Sequence, residues 1–552
     1  MQKIDGGYLI LKTPFVRTGW NKHTAAMDAA VPQVILDAVN AVQRTAWRRN
    51  RIVFEVASAA WRAGDTIAGL PSPENLEIPE RLEDAKWKAM TPEEIVKHKT
   101  ELAMIHGENA RMQSVREETI RKLQLAEELG DRSFWHVHTL DFRGRCYPVT
   151  QDLHPQGDDL CKGLHEFAEG KLLGKTGAYW LASRLASNYG NGMDKAGFDE
   201  RFEWAKANSE RIVACVSDPL DGNRFWLEAE EPWQFLAAAN EWAQYKQRGD
   251  DFVSYLSVNL DGSINGAQHL SALGRDPVGA RLTNMTAEPK RQDLYSDVCA
   301  ACVRRIEADA LNGIEEAKHW IGKVTRTTVK RGVMTTPYGV TDRGLRDQLI
   351  VDKHTKGLEG NQIANANYFK TVLAEAIGEC VVGARRIMGF LQGAAKAAAE
   401  KNLPFEWTGP LGMKVRQAYY KRQVRRVDTL VGRLQIWEEN EGLGLSARKQ
   451  ELAASPNFVH HMDAMHLYRT VLRAKSEGIN SFLCVHDSYG THAADIGRVS
   501  RLIREEFVAL YQEDHLERLA EELRGQGVDV PAIPERGTFD VREVLDAPFF
   551  FS

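Results

Sequence analysis

Gly322-Lys323-Val324-Thr325-Arg326-Thr327-Thr328-Val329-Lys330-Arg331-Gly332-Val333-Met334-Thr335-Thr336-Pro337-Tyr338-Gly339 spaces two cations and an aromatic hydroxyl at four-residue intervals. On a helix, Arg326, Lys330, Met334 and Tyr338 occupy successive turns, each rotated by about 40° from the last. Lys330 to Tyr338 then spans about 12 Å at ~1.5 Å per residue, comparable with an extended nucleoside triphosphate. Lys and Arg can hold phosphates while the tyrosine meets sugar and base. A solvated basic helix face is the plain alternative. Gly339 reads as a helix stop that leaves Tyr338 at a helix end, facing a ligand. Pro337 lacks an N–H and clashes with the preceding turn, so the helix is expected to bend or end just before Tyr338.

The chain has 552 residues, 43% hydrophobic and 27% charged, with a net charge of −5. That length holds several domains, and the balance is ordinary for a globular protein. No apolar run reaches the length of a membrane span, and Met1-Gln2-Lys3-Ile4-Asp5 lacks a signal-peptide pattern. Of seven cysteines only Cys299 and Cys302 form a Cys-x-x-Cys pair. It lies in a helical stretch with no second pair, so packing is favoured over zinc. The chain reads as cytoplasmic and reduced. A negative total does not exclude nucleic acid, because a local basic stripe suffices.

Working outward, the strand-like Phe252-Val253-Ser254-Tyr255-Leu256-Ser257-Val258-Asn259-Leu260-Asp261 ends on an acid, with Gly262 to turn the chain and a helix from about Ala267. Asp261 suits a metal ion or a helix N-cap; both readings stand. Ile479 to Thr491 is a second apolar strand that runs into His486-Asp487, with a tight turn expected at Gly490. Asp141-Phe142-Arg143-Gly144-Arg145 sets two arginines around a glycine, a pattern suited to phosphate contact, with Asp141 to orient a guanidinium. His136 and His138 before it read as structural. The segment Met413 to Arg433 carries Lys414, Arg416, Lys421, Arg422, Arg425, Arg426 and Arg433 against one acid, Asp428, with Tyr419 and Tyr420 among them. Cations interleaved with aromatics suit DNA contact; an exposed basic loop is the alternative. His460, His461 and His466 fit no zinc spacing. Residues 64–80 read as a linker, 92–130 as a polar projecting helical hairpin, and 223–245 as a packed core helix.

Taken in order, these segments resemble the single-subunit RNA polymerases of the phage and mitochondrial type. The resemblance covers the chain from roughly residue 10 onward. Asp261-Gly262-Ser263-x-x-Gly266-x-Gln268-His269 resembles motif A, Arg326-x-x-x-Lys330 with Met334-Thr335-x-x-Tyr338-Gly339 the fingers helix of motif B, and His486-Asp487 motif C. The implied fold is mostly α with a small antiparallel β palm (α+β), a right hand of thumb, palm and fingers. The boundaries would be 1–75 for a remnant of the N-terminal region, 76–131 thumb, and 132–289 palm with motif A. The fingers take 290–459, with a basic hairpin at 413–447; palm with motif C and the C-terminal tail take 460–552.

The resemblance implies DNA-templated RNA synthesis by nucleotidyl transfer, with two Mg²⁺ ions held by Asp261, Gly262 and Asp487. Asp261, Asp487, Lys330 and Tyr338 would be catalytic. Arg326, Lys330, Tyr338, His460, Lys195 and Tyr295 would bind the nucleotide, His460 through the ribose 2′-hydroxyl. Arg143 and Arg145 would hold the RNA–DNA hybrid, and Lys414, Arg416, Lys421, Arg422, Arg425 and Arg426 would touch DNA. The aromatic tail Phe549-Phe550-Phe551 would dock beside the acids. Expected partners are DNA template, transcript and ribonucleoside triphosphates, with a monomeric chain and no membrane. Family members carry a large N-terminal domain, and this chain begins near where that domain ends, so promoter opening is expected to be weak or to use another route. The rivals are a primer-making or DNA polymerase of the same fold and a non-catalytic nucleic-acid-binding protein.

Overall fold

The computed structural model describes residues 14–18, 31–80, 82, 84–430 and 432–552. The first 13 residues of the expected N-terminal remnant, 1–75, lie outside them. The proline- and glycine-rich stretch 64–80 is extended but tied down. Asn109 accepts from the Leu76 N–H at 2.7 Å and donates to its carbonyl at 2.9 Å, and Arg116 donates to the Pro73 carbonyl at 2.6 Å.

Both partners lie on helix α1, Pro92–Leu129, which is 38 residues long, or about 57 Å. The expected hairpin is therefore one continuous rod. A capping box between Thr91 and Glu94 starts it. Gly107 is its one interior glycine, and a lone glycine weakens a helix without breaking it. Its buried positions, Asn109, Thr119, Lys122, Leu123 and Ala126, all lie in its C-terminal two-thirds. The N-terminal turns project into solvent, as a charged sequence dictates.

Strand β1 is His138–Asp141 and helix α2 Gly174–Tyr189. Helix α3 is Pro232–Arg248, preceded by a 3₁₀ turn at Phe225–Glu228. The core helix thus starts later than expected, because Pro232 sits in its first turn, where a missing N–H costs nothing. Strand β2 is Ser257–Asp261, helix α4 Asn265–Gly274, helix α5 Leu294–Leu311 and helix α6 Arg326–Thr335. Strands β3 (Arg422–Thr429) and β4 (Gly432–Glu439) form a hairpin. Helix α7 is Ala447–Ser476, with Pro456 inside it. Strands β5 (Leu483–Val485) and β6 (Ser488–His492) precede helix α8, Ile496–Leu510.

The expected class holds: the described chain is mostly helical with small, largely antiparallel sheets. The decisive sheet is antiparallel in the order β5-β6-β2. Ser488 pairs with Asp261, Gly490 with Asn259 and His492 with Ser257. Every residue of α4 is buried. Helix α7 packs on α4 and α8, and α8 packs on β2 and β6, which forms a wall behind the sheet. That wall makes the strand ends rigid.

Two local expectations change. The turn after β5 is at His486-Asp487, where His486 takes φ +55°, and not at Gly490. Gly490 lies inside β6 for a different reason. A Cβ there would stand 2.5 Å from Ser257 Oγ and 2.6 Å from Asn259 Oδ1 on the neighbouring strand. The tail extends the sheet beyond β2: Phe551 bridges Gly262, and the Ser552 N–H donates to the Asp261 carbonyl at 3.1 Å. Gln268 Nε2 donates to the Phe550 carbonyl at 3.0 Å, and Phe550 and Phe551 are fully buried.

Gly490→Ala is expected to destabilise the fold by about 1–3 kcal/mol through overpacking against β2. Urea unfolding measures it; an unchanged midpoint would mean that β2 and β6 are not packed this closely.

Candidate active site

Asp261 ends β2, and Asp487 sits in the two-residue turn that joins β5 to β6. The register of β2 against β6 sets them beside each other, and the Gly262 N–H donates to the Asp487 carbonyl at 3.2 Å. Burial pushes the Asp487 carboxyl above its ordinary range; Arg145 opposes the rise and Asp261 adds to it. Among the described residues, neither carboxylate forms an ion pair or hydrogen bond with another side chain. Both line a polar cavity of about 480 Å³, with Asn259 and Ser488 beside them.

Two unpartnered carboxylates that repel each other are a donor set that fits a hard divalent cation. Among the described residues no three His, Cys, Asp or Glu side chains gather closely enough to hold a metal alone. Any cation here takes its remaining ligands from backbone, water or substrate, the habit of Mg²⁺.

The rest of the centre hangs on α7. The Tyr338 ring stacks on His460, with centroids 4.7 Å apart and planes 28° apart. Helix α6 ends at Thr335 and a 3₁₀ turn carries Thr336–Tyr338, with Pro337 in its first turn. The regular four-residue stripe therefore breaks before the tyrosine, as the proline predicts. Burial and the charge of Asp487 raise the Tyr338 phenol, so it stays protonated. Arg143 Nη1 donates to His460 Nδ1 at 2.6 Å. An arginine only donates, so Nδ1 is the acceptor and the proton sits on Nε2. Burial, then Arg145 and Arg143, lowers His460 to about 2. His460 is thus a neutral ring with an N–H to offer.

The two arginines around Gly144 are held by acids. Asp141 accepts from Arg143 Nη2 at 2.6 Å and from the Arg143 and Arg145 N–H groups at 2.9 and 3.1 Å. Arg145 pairs with Asp463, which is 1% exposed. Gly144, at φ +97°, lets this loop turn, and Tyr468 donates to its carbonyl at 2.5 Å. The three histidines of α7 part ways, as the missing zinc spacing implies. His461 contacts the Arg143 carbonyl at 2.7 Å, and His466 lies between the Ile503 carbonyl and the Tyr489 hydroxyl. His136 and His138 are buried in mutual contact, as structural residues.

On α6, Arg326 pairs with Asp293 at 2.6 Å and lies over the Tyr295 ring at 4.8 Å. Lys330 is exposed and, among the described residues, has no charged partner. Neither lines the cavity of the acids. Lys195 is also outside it, although its neighbour Asp194 is a wall residue. Cys302 is buried within α5, in keeping with packing. The basic segment falls in two antiparallel ladders: Lys414–Gln417 pairs with Phe405–Thr408, and β3 pairs with β4 as a largely solvent-facing hairpin. Arg416 is paired with Glu406 and Arg422 with Glu439; β4 supplies acids that the one-acid count of 413–433 did not include.

Sequence reasoning missed Asp463 and Asp293. Asp463 was within reach of it: three residues after His460 on a helix, it shares that face. Asp293 is the N-cap of α5, and no sequence signal ties it to Arg326.

A family model described as DNA-dependent RNA polymerase matches residues 171–527. The chain is 37% identical over 565 aligned residues to DNA-directed RNA polymerase 1, mitochondrial, of Nicotiana sylvestris, covering 99% of this chain and 56% of that protein. It is 36% identical to DNA-directed RNA polymerase 3, chloroplastic, of the same plant, covering 99% and 57%. It is 34% identical to DNA-directed RNA polymerase 2, chloroplastic/mitochondrial, of Arabidopsis thaliana, covering 99% and 55%. A solved POL domain of Pol1 from M. smegmatis aligns at 13% identity and a TM-score of 0.36, over 89% of this chain and 66% of that one. The chain belongs to the DNA-dependent RNA polymerase family. It spans about half the length of the curated relatives it matches.

Burial lowers His138, His165, His461 and His466 to about 4. Unfolded histidine titrates near 6.5, so the folded values are the lower ones. Their contribution is present above about pH 6.5 and is lost as pH falls toward about 4, at about 1.4 kcal/mol per unit for each. The urea midpoint should drop steeply between about pH 6.5 and 5; a flat profile would count against neutral, buried rings.

Proposed function

We propose that this chain performs DNA-templated RNA synthesis, transferring nucleotides from ribonucleoside triphosphates to an RNA 3′-hydroxyl with release of pyrophosphate. One observation carries the reading: two carboxylates, unpartnered among the described residues, meet at adjoining strand ends, and the charge of Asp487 acts on Tyr338, which stacks on His460. In this reading the β5-β6-β2 sheet is the palm, α1 lies in the thumb (76–131), and α6 lies in the fingers (290–459).

Asp261 and Asp487, with the Gly262 backbone between them, would hold two Mg²⁺ ions. Bound there, such ions lower the pKa of the attacking hydroxyl and neutralise the leaving phosphates. The chain's own residues do the rest by position. The bond that forms joins the primer 3′-oxygen to the α-phosphorus; the bond that breaks joins that phosphorus to the bridging oxygen of pyrophosphate, and the hydroxyl proton passes to water. Lys330, an exposed cation on α6, can approach the triphosphate as charge gathers on it. Arg326 has the geometry to join it only by exchanging Asp293 for phosphate. His460 offers Nε2–H to a ribose 2′-oxygen, a contact a deoxyribose lacks, and Tyr338 supports the ring that makes it. Phe551 and Ser552 clamp the backbone at Asp261, so the tail sets the position of one acid.

Outside the centre, Arg425 and Arg426 on β3 face solvent. They suit phosphate or guanine contact in DNA, as does the ladder as a whole.

Extension of an RNA primer on a pre-melted DNA template with Mg²⁺ tests the reading. Ribonucleotides should be incorporated, and Asp487→Ala should abolish extension. Preference for deoxyribonucleotides would void the roles of Tyr338 and His460. Salt-sensitive binding without turnover would make the chain a binding protein. His460→Ala is expected to narrow ribose discrimination by about 1–3 kcal/mol, the cost of one buried hydrogen bond, read as the ratio of kcat/KM for rNTP and dNTP.

A further inference from the structure

One wall of the cavity of Asp261 and Asp487 is left unused by these roles. It is one face of α2, where Arg184 and Asn188 stand four residues apart and so point the same way. Both line the cavity. Arg184 is 9% exposed and Asn188 6%.

Both are short of acceptors. Among the described residues, the Arg184 Nε–H and the Asn188 Nδ2 group are buried without a hydrogen-bond partner. The only side-chain hydrogen bond of Arg184 among the described residues runs to Gln234 Oε1 at 3.4 Å. Glu231, Glu241 and Asp159 act on it electrostatically, yet none reaches ion-pair distance. Two of them are engaged elsewhere. Glu241 accepts from Ser254 Oγ and from the Tyr255 and Leu256 N–H groups. Asp159 accepts from the Trp233 and Gln234 N–H groups and the Gln234 amide. A buried guanidinium with an open N–H beside a second open donor is costly unless an anion completes it. The fork of an arginine suits a phosphate oxygen in particular.

The residues assigned to the incoming nucleotide are not among those that line this cavity. Lys330, Arg326, Tyr338 and His460 do not line the cavity; Lys162 and Arg291 do, together with the acids Asp194, Glu230 and Glu231.

We propose that Arg184 and Asn188 form a phosphate subsite that receives the leaving pyrophosphate. The identity of the anion rests on the polymerase reading; the open donors do not. The test combines calorimetric titration of the full chain with inorganic pyrophosphate and Mg²⁺ and pyrophosphate inhibition of primer extension. Asn188→Asp keeps the side chain's shape and adds a repelling charge; Arg184→Gln removes the cation. Circular dichroism checks that each is folded, and Asn188→Asp decides the matter if Arg184→Gln is not. Both should weaken pyrophosphate binding by about tenfold or more, beyond any rise in rNTP KM. Unchanged affinity in folded Asn188→Asp overturns the proposal. So does an rNTP KM that rises as much as the pyrophosphate constant, since the incoming triphosphate would then occupy the site. If the wild-type chain extends no primer yet binds pyrophosphate through these two residues, the subsite stands and the polymerase reading falls.

Discussion

The pairing of β2 with β6 is the constraint on which the centre depends. Asp261 and Asp487 lie 226 positions apart in the chain, and only the Ser488–Asp261 register brings them together. Side chains on a strand alternate faces, so a slip by one residue would send one acid to the other side of the sheet. Three features guard against that slip: the Gly490 position that admits no Cβ, the turn at His486, and the tail that pairs with Gly262. Helix α8 then packs on both strands, with the long α7 against α8 and the fully buried α4 against α7.

Electrostatics are organised around the same strand ends. Among the described residues the two acids are left without side-chain partners, while Arg143 and Arg145 nearby are held by Asp141 and Asp463. Arg145 and Asp463 form a buried pair whose value lies in position. Such pairs are weak contributors to net stability, but removing one partner strands a charge. Here the pair ties the β1 loop to α7, which also carries His460. The same loop then supplies Arg143 to fix the histidine's tautomer. Orientation of one ring thus depends on a glycine turn, two arginines and two aspartates from separate parts of the chain.

Local patterns told most about local structure. The strand that ends on Asp261, the stop at Gly339 and the break forced by Pro337 are all properties of short windows, and the structure has each. The thumb-like hairpin failed because a polar, evenly charged stretch gives no internal turn signal, and one glycine is too little to create it. Gly490 was read as a turn residue because glycine favours turns; its actual constraint is a neighbouring strand, which a window cannot contain. Lys330 was legible as a cation on α6, but that Arg326 is occupied by Asp293 was not.

By itself the sequence determined the elements and their chemistry: which segments are helix or strand, which strands end on acids, where the cations and histidines lie, and the family their order resembles. Tertiary structure alone decided which of these meet. It set two acids side by side, stacked Tyr338 on His460, and left Arg184 and Asn188 lining the acids' cavity with open donors. The physical reason is that helix and strand propensities act over a few residues. Burial, ion pairing and unsatisfied hydrogen bonds exist only once distant segments share a space.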